Sequence, residues 1–340
     1  MSNAKWYIEQ GEQGDVVLST RIRLARNLDA YPFPARLDLA GKQSVNQKIK
    51  EALSESGFTY VDMKSLSRMQ AISLAERHLI SPEFASSREG RALLLAPNEA
   101  LSIMLCEEDH IRLQVMQAGL ALREAYGIAN KIDTLLESKL QIAFDERIGY
   151  LTQCPTNLGT AMRASVMLHL PALTRLGQIA RLANTVSKLG LTIRGAYGEG
   201  SNPSGDIYQL SNQITLGITE QAAIENLQSI ALQLVQQERA AATELCRKLE
   251  EQDRIHRALG ILQSARLLPT EEFMQYLSLV RMGAARGVLE TPIETINELI
   301  VIMQPATLNA AQNEALEPGR RDALRAEAVR RALKGMNPNV

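Results

Sequence analysis

Two apolar segments joined by a very short turn place the strongest limit on the fold of this chain. RALLLAP (91–97) and ALSIMLCEED (100–109) both have the apolar, β-branched or aliphatic character of buried strands, and they meet at NEA (98–100). A tight turn can join antiparallel strands, whereas parallel strands need a crossover of about a dozen residues. The pair therefore predicts a hairpin, and with it an antiparallel sheet.

Further strands and helices alternate irregularly over the first two-thirds of the chain. Strands are predicted at ASVMLHL (164–170), LTIRGAYG (191–198) and DIYQLSNQITLG (206–217). Amphipathic helices are predicted over 119–140 and over 171–190, the second ending at Gly190. Because the strands are not separated regularly by helices, the pattern favours an α+β fold, with an antiparallel β-sheet flanked by helices.

The composition changes after Thr219, and the last third of the chain is predicted to be entirely helical. Thr219 is placed to cap a long helix over 219–252, and Thr270 to cap another before EEF. In TPIE (291–294), Thr291, Pro292 and Glu294 form a predicted capping box. We therefore expect a first domain over 1–230 and a helical C-terminal domain over 231–340.

The net charge, the cysteine and histidine counts and the lengths of the apolar runs exclude several classes of protein. The 340 residues carry a formal net charge of −1, which argues against a bulk nucleic-acid binder. The three cysteines form no CxxC pair, and the four histidines have no metal-ligand spacing, so no structural metal is expected. No apolar run approaches the roughly 20 residues that span a bilayer, and the first residues contain no secretory h-region. We expect a cytoplasmic protein that binds neither membrane nor nucleic acid.

STRIRLAR (19–26) contains a cluster of arginines, although the net charge of the whole chain is close to zero. Strand alternation places Arg21 and Arg23 on one face, and Arg26 on the opposite face, where it is interpreted as structural. Three further arginines, Arg112, Arg163 and Arg194, lie at strand ends or in glycine-rich turns. If they converged, their planar guanidinium groups would suit phosphate. Separate surface arginines with local carboxylate partners account for the same spacing, and no Walker-type loop is present.

Acidic residues and one cysteine add candidates for chemistry. EED (107–109) ends a predicted strand, and Glu199 lies in the loop GEGSNPSG. Two glutamates facing an arginine-lined pocket would suit a cationic nucleophile that attacks phosphate, although a solvated turn is the commoner role of such acids. Cys154 precedes the turn PTNLG, where it is either a thiolate near arginines or a buried structural thiol.

Four blocks in this order resemble the ATP:guanidino phosphotransferases, the family of creatine and arginine kinases. They are STRIRLARN with YPFP, then EEDHIR, then CPTNLGTAMRASV, then IRGAYGEG followed by IYQLSNQ. Only eighteen residues precede the first block, and RDALRA (321–326) lies near the end. These two features resemble the bacterial protein-arginine kinase branch of that family.

The resemblance implies a set of site residues. It implies that Glu108 is the base, that Glu199 is a second guanidinium clamp and that Cys154 is the reactive cysteine. It implies phosphoarginine binding by Arg321, Asp322, Arg325 and Ala326, although that tail is equally an ordinary solvated helix with Glu327 paired to Arg331. It implies nucleotide binding by Ser19, Thr20, Arg21, Ile22, Arg23, His78, Arg112, Arg163, Ala164, Ser165, Val166, Met167, Arg194, Gly195, Ala196, Tyr197 and Gly198.

The resemblance also implies function and partners. ATP and Mg²⁺ are the expected cofactors, with the metal held mainly by phosphates and water. Arginine side chains of proteins are the expected acceptors, including a stress-response repressor marked for degradation. A zinc-binding activator protein, a Clp unfoldase–protease and a homodimer or higher homo-oligomer are also expected. A small-guanidine (phosphagen) kinase and a phosphoarginine-binding adaptor with weak catalysis are alternatives.

Three positions depart from the family pattern. Cys106 stands where many relatives have asparagine, Ala161 where many have glycine, and Tyr197 where small-molecule arginine kinases have arginine. The departure at Cys106 removes no predicted charge partner.

Overall fold

An eight-stranded antiparallel sheet organises the first two-thirds of the protein, whose computed structural model describes residues 5–196 and 203–335. The strand order is β2-β3-β4-β5-β1-β8-β10-β9, and a separate two-stranded ribbon is formed by β6 and β7. The strands are β1 (Val17–Arg26), β2 (Thr59–Asp62), β3 (Ala92–Leu95), β4 (Leu101–Leu105), β5 (Ile111–Ala118), β6 (Phe144–Asp145), β7 (Gly149–Tyr150), β8 (Met162–His169), β9 (Leu191–Gly195) and β10 (Ile207–Asn212). The predicted α+β class and antiparallel sheet are confirmed.

Helices cover one face of the sheet, pack on the other face over β3 and β4, and make up the C-terminal third. The hairpin predicted from NEA joins β3 to β4. The helices are α1 (Leu39–Ala52), α2 (Arg68–Glu76), α3 (Pro82–Ser86), α4 (Leu122–Lys139), α5 (Pro171–Arg175), α6 (Ile179–Ser187), α7 (Glu220–Cys246), α8 (Leu249–Ser264), α9 (Thr270–Ala285), α10 (Ile293–Ile302), α11 (Pro305–Gln312) and α12 (Pro318–Ala332). None of the helices within the described ranges has the length and apolar character needed to cross a membrane.

The two faces of the sheet have opposite characters because side chains alternate along each strand. On β1, Ile22 and Leu24 are fully buried in the core beneath α1, α4 and α7. Arg21 and Arg23 project from the other face and are partly exposed. The sheet thus presents a polar face beside a well-packed apolar one.

Arg26 confirms the structural role expected from its position. It is 2% exposed, and its Nη2 lies 2.6 Å from Oδ2 of Asp133 on α4. Its guanidinium also stacks 3.3 Å from the centre of the Tyr150 ring. A buried arginine of this kind ties β1 to α4 and takes no part in the polar face.

Helix α7 passes from one apolar core to the next. Its residues up to Val235 pack in the core beneath the sheet, whereas those from Ala242 onward pack with α8, α9, α10 and α12. The division that we expect at residue 230 falls within this helix. We propose that α7 is the shared element of two adjoining domains.

Two predicted helices are each broken in the structure. The helix expected over 171–190 is two helices, α5 and α6, because Gly177 adopts a left-handed φ of 67° between them. The helix expected over 219–252 ends at Cys246, and α8 begins at Leu249 after a short turn. Both predictions rested on the spacing of apolar residues. That spacing continues through each break, so it does not reveal where one helix ends and the next begins.

One of three predicted helix caps is confirmed. The Thr219 side chain accepts a hydrogen bond from the backbone N of Ala222. The cap predicted at Thr270 is wrong by one position, since Thr270 is the first residue of α9 and Pro269 occupies the capping position. The capping box at 291–294 is also wrong: Pro292 precedes α10, and the buried Thr291 hydroxyl makes no hydrogen bond with any described residue.

Candidate active site

Five arginines from four strands line one cavity of about 970 Å³ on the polar face of the sheet. Arg21 and Arg23 come from β1, and their strand is flanked by β5 and β8, which supply Arg112 and Arg163. Arg194 comes from β9 at the sheet edge. Strand pairing therefore brings together residues that are up to 173 positions apart in sequence, Arg21 and Arg194.

The crowding of these cations is electrostatically unfavourable without an anion. Burial, together with the charges of Arg112 and Arg163, lowers the pKa of Arg21 to about 10. Burial and the same neighbours, with Arg21, lower the pKa of Arg23 well below its ordinary value. Arginine nevertheless stays protonated at neutral pH, so the cavity is a concentrated positive field that a polyanion would neutralise.

Neutral groups hold part of the cluster in place. Arg21 donates through Nε to Ser165 Oγ at 3.4 Å and through Nη2 to Oε1 of Gln209. The Nε of Arg23 is buried and makes no hydrogen bond with the residues that the structure describes. Arg21 is thus held by uncharged partners, which orient its guanidinium without neutralising it.

Of the three carboxylates in the acidic turn between β4 and β5, Glu108 has the fewest described hydrogen-bond and ion-pair partners. Glu107 pairs with Arg112 and accepts a hydrogen bond from Ser81. Although burial opposes it, these partners lower the pKa of Glu107. Asp109 is buried and accepts from Asn27 Nδ2 at 2.6 Å and from the backbone N of Gln153 at 2.8 Å.

Glu108 lines the cavity and has the character of a base. Its one described hydrogen-bond contact is with Asn157 Nδ2 at 3.5 Å, near the limit of such an interaction. Burial, with the neighbouring charge of Asp109, raises its pKa above the ordinary value for glutamate. A raised pKa makes this carboxylate a better proton acceptor once it is ionised.

Cys154 lies in the segment that packs against this acidic turn. The adjacent Gln153 lines the cavity and binds Asp109, and Asn157 reaches Glu108. Cys154 is partly exposed, with Sγ 3.0 Å from the Thr156 hydroxyl. Cys106 is buried, and that burial raises the pKa of its thiol to about 12, which disfavours a thiolate beside the acidic turn.

His78 forms part of the cavity wall as an uncharged group. It adopts a left-handed φ of 61°, and its carbonyl accepts a 2.6 Å hydrogen bond from Gln114 Nε2. Burial and the charge of Arg21 lower its pKa to about 3. A neutral imidazole suits the uncharged part of a nucleotide better than its phosphates.

Several residues predicted to bind nucleotide do not line the cavity, and strand alternation accounts for Thr20, Ile22, Ala164 and Val166, which face the other side. Ile22, Ala164 and Val166 are fully buried in the apolar core. Ser19 is buried, and Thr20 donates to the Gly119 carbonyl and ties β1 to the segment before α4. Met167 packs against the C-terminal helices. We therefore exclude the side chains of these residues from the site.

The remaining predicted residues divide into two groups. Gly195 and Ala196 line the cavity at the end of β9, and Ser165 reaches it through Arg21. Tyr197, Gly198 and Glu199 lie outside the described residues.

Gln209 is a cavity residue that the sequence analysis missed. It lies on β10 directly opposite Arg194 of β9, and it holds Arg21. Strand alternation in IYQLSN, which places Gln209 and Ser211 on one face, was the available signal. Thr192 lines the same wall two residues before Arg194.

The tail motif at 321–326 is not a solvated face. Arg325 is fully buried and donates to the carbonyls of Met303 and Leu268, and its Nη1 lies 2.8 Å from Oδ1 of Asp322. Ala326 is fully buried in the helical core. Arg321 and Asp322 remain partly exposed. In this conformation Arg325 and Ala326 are therefore excluded as direct ligand contacts, and Arg325 holds Asp322 from inside.

The donor set fits a magnesium ion that arrives with a nucleotide. No group of three or more metal-ligating side chains occurs within residues 5–196 and 203–335. The cavity is instead lined by guanidinium groups, which bind phosphate oxygens. Mg²⁺ bound through phosphates and water needs few protein ligands.

Comparison with known proteins accounts for this arrangement. The sequence model described as the ATP:guanido phosphotransferase C-terminal catalytic domain matches residues 42–241, and that of the protein-arginine kinase McsB C-terminal domain matches residues 248–340. Among solved structures, lombricine kinase superposes with a TM-score of 0.59 at 25% identity, over 68% of each chain. A duplicated taurocyamine kinase from Schistosoma mansoni superposes with a TM-score of 0.61 at 26% sequence identity. The match covers 75% of this chain and 39% of that one. The chain therefore has the fold and the catalytic-domain sequence of an ATP:guanido phosphotransferase.

Relatives at higher identity narrow the assignment. The protein-arginine kinase of Halothermothrix orenii is 45% identical over 335 residues, which is 96% of this chain and 96% of that protein. The protein-arginine kinase of Bacillus subtilis is 42% identical over 339 residues, which is 97% of this chain and 93% of that protein. The chain therefore belongs to the protein-arginine kinases of the ATP:guanido phosphotransferase family.

Proposed function

We propose that this protein transfers the γ-phosphoryl group of ATP to arginine side chains of other proteins. The convergence of five arginines on one cavity, with the carboxylate of Glu108 facing the same space, carries the proposal. It accounts for both reactants, since arginines bind the polyphosphate and the carboxylate attracts a guanidinium. Membership of the family supports ATP as the donor.

Glu108 has two tasks in the proposed reaction. A guanidinium is protonated at neutral pH and is a poor nucleophile. Glu108 would bind one edge of the acceptor and take a proton from the attacking nitrogen as that nitrogen approaches the γ-phosphorus. The resemblance assigns the second clamp to Glu199, outside the described residues. Cys154, in the segment beside Glu108, is proposed to help orient the acceptor.

The arginines act on the transferring group. Charge on the phosphoryl oxygens is spread in the transition state, and fixed cations stabilise it without reorganising at the moment of reaction. Arg21 is fixed by Gln209 and Ser165, and Arg112 by Glu107, so both are positioned in advance. Mg²⁺, bound through the phosphates, would supply further charge neutralisation.

Several finer statements belong to the same proposal and rest on the resemblance. We propose that Arg321 and Asp322 contact phosphoarginine, and that phosphorylation marks proteins for regulated degradation in a stress response. A zinc-binding activator protein, a Clp unfoldase–protease, a homodimeric assembly and a cytoplasmic location are proposed in the same way.

A small-guanidine kinase is the second candidate, because lombricine and taurocyamine kinases share the fold. The test is to incubate the protein with γ-labelled ATP and Mg²⁺, together with free L-arginine or with an arginine-rich unfolded protein. We expect label on the protein and little on the free amino acid. Label on free arginine alone would contradict the proposal and favour the second candidate, and ATP binding without any transfer would favour an adaptor.

A further inference from the structure

Helix α9 presents one stripe of side chains to the end of the sheet that carries the cavity. Met274, Ser278 and Arg281 are spaced four and three residues apart, so they share a helix face. Each of them contacts the region where β8 ends or β10 begins. The stripe therefore links the C-terminal helices directly to the catalytic sheet.

The chain just before β10 is held in an unusual conformation. Gly205 and Asp206 both have left-handed φ angles, 62° and 56°. A side chain at Gly205 would meet the backbone O of Met274 at 3.1 Å, so only glycine fits there without displacement. Asp206 has a Cβ, and aspartate adopts a left-handed φ when local hydrogen bonds to its short side chain support that conformation. Its conformation must be maintained by its contacts.

The Asp206 carbonyl accepts a 2.9 Å hydrogen bond from the backbone N of Leu170, and a directed chain of buried hydrogen bonds holds its side chain. The guanidinium of Arg281 can only donate, so His169 Nδ1, 3.0 Å from its Nη1, must accept. His169 Nε2 therefore carries the proton and donates to Ser278 Oγ at 2.9 Å. The Ser278 hydroxyl is then left to donate to Asp206 Oδ2 at 2.6 Å. Arg281, His169 and Ser278 are all at most 3% exposed.

Asp206 is connected in turn to the cavity wall. The next residue, Ile207, begins β10, and its carbonyl accepts a 3.1 Å hydrogen bond from the backbone N of Ala196 at the end of β9. Two residues after Ile207 on β10 lies Gln209, opposite Arg194 and bound to Arg21. A shift of Asp206 would move the β10 side of this wall, including Gln209, which binds Arg21 and lies opposite Arg194.

We propose that Ser278 is a positioning residue for nucleotide binding: through Asp206 it fixes the β9–β10 wall that carries Arg194 and Gln209. The C-terminal helices would thus set the geometry of the ATP site from outside it. This inference rests on the proposed role of the cavity in binding ATP. It concerns nucleotide affinity, so it can be tested without any acceptor protein.

The test is isothermal titration of the full chain with ATP and Mg²⁺, alongside the thermal unfolding midpoint of each variant. Ser278→Ala should raise the Kd for ATP about fivefold, the equivalent of one lost hydrogen bond. Asp206→Gly also removes the anchor, but glycine adopts the left-handed φ freely, so a similar rise is expected without loss of folding. Asp206→Asn keeps an acceptor oxygen and should retain the wild-type Kd.

Thr219→Ala is the matched control, since it deletes a helix-capping hydroxyl that lies outside the cavity. It should lower the unfolding midpoint and leave the Kd for ATP unchanged. Wild-type affinity in both Ser278→Ala and Asp206→Gly would overturn the proposal, as would equal weakening by Asp206→Asn. A wild-type protein that binds no ATP would instead defeat the proposed function itself, and the inference with it.

Discussion

Arg23 of β1 lies directly opposite Arg163 of β8 in the antiparallel register. Like charges at directly opposed positions of a sheet are destabilising, and here Arg21 and Arg112 add to the repulsion felt by Arg23. Such a pairing weakens the unliganded protein and favours binding of an anion. It is the structural relationship from which the account of the ATP site begins.

Replacing Arg23 should weaken ATP binding without lowering the stability of the unliganded protein. Arg23→Gln removes one of the opposed charges, so the unfolding midpoint of the unliganded protein should stay the same or rise. The Kd for ATP should rise tenfold or more, since a charge-assisted hydrogen bond contributes about 1.5–3 kcal/mol. Thermal unfolding and calorimetric titration measure the two quantities.

Arg123→Gln is the control for this change, because its side chain is 61% exposed and pairs with Glu225 at the surface. It should alter neither quantity appreciably. A large loss of stability in Arg23→Gln with unchanged ATP affinity would show that Arg23 is structural.

Removing the proposed base should abolish transfer and spare nucleotide binding. Glu108→Gln keeps the shape of the side chain but cannot accept the proton, so kcat should fall by about 10²–10⁴. The Kd for ATP should stay the same or fall slightly, since one negative charge leaves the cavity. Glu124→Gln, on the surface of α4, should retain the wild-type rate. Transfer at the wild-type rate by Glu108→Gln would rule out its role as the base.

Alkylation should distinguish the three cysteines. Cys154 is partly exposed, whereas Cys106 and Cys246 are buried, and burial raises the pKa of both buried thiols. Iodoacetamide at neutral pH should therefore modify Cys154 first in the native protein. Peptide mass spectrometry locates the label. Faster modification of Cys246 would indicate that α7 opens in solution.

The buried arginine of the tail motif should matter for folding more than its exposed neighbour. Arg325→Met would leave the carbonyls of Leu268 and Met303 without their donor, at a cost of about 1–3 kcal/mol for each buried group. Arg331→Met removes only an exposed pair with Glu327, worth roughly 0.2–0.5 kcal/mol. Denaturant unfolding compares the two free energies. Equal small losses would contradict the buried role of Arg325.

Local patterns predicted much of the fold because they report which face of an element is buried. Alternation in STRIRLAR separated Arg21 and Arg23 from Arg26, and the structure places Arg26 against Asp133 in the core. The short turn at NEA predicted the hairpin of β3 and β4. In contrast, the break at Gly177 and the starts of α9 and α10 depend on backbone conformation that apolar spacing does not encode.

The site was less accessible to local reasoning, because strand order is not a local property. That β1 lies between β5 and β8 follows from the whole topology, and only this order brings Arg112 and Arg163 beside Arg23. The residues alone favoured separate surface arginines, and the family resemblance favoured convergence. The burial of Arg325 depends on carbonyls of two other segments and has no signature within RDALRA.

The most direct test of the central claim is to identify the atom that receives the phosphoryl group. An unfolded protein acceptor is incubated with this protein, ATP and Mg²⁺, kept at neutral pH because a phosphorus–nitrogen bond is labile in acid, and mapped by mass spectrometry. The account predicts phosphate on arginine side chains of the acceptor, lost on brief acid treatment and absent with Glu108→Gln. Phosphate on serine, threonine or tyrosine, or an acceptor left unmodified while free arginine is phosphorylated, would contradict it.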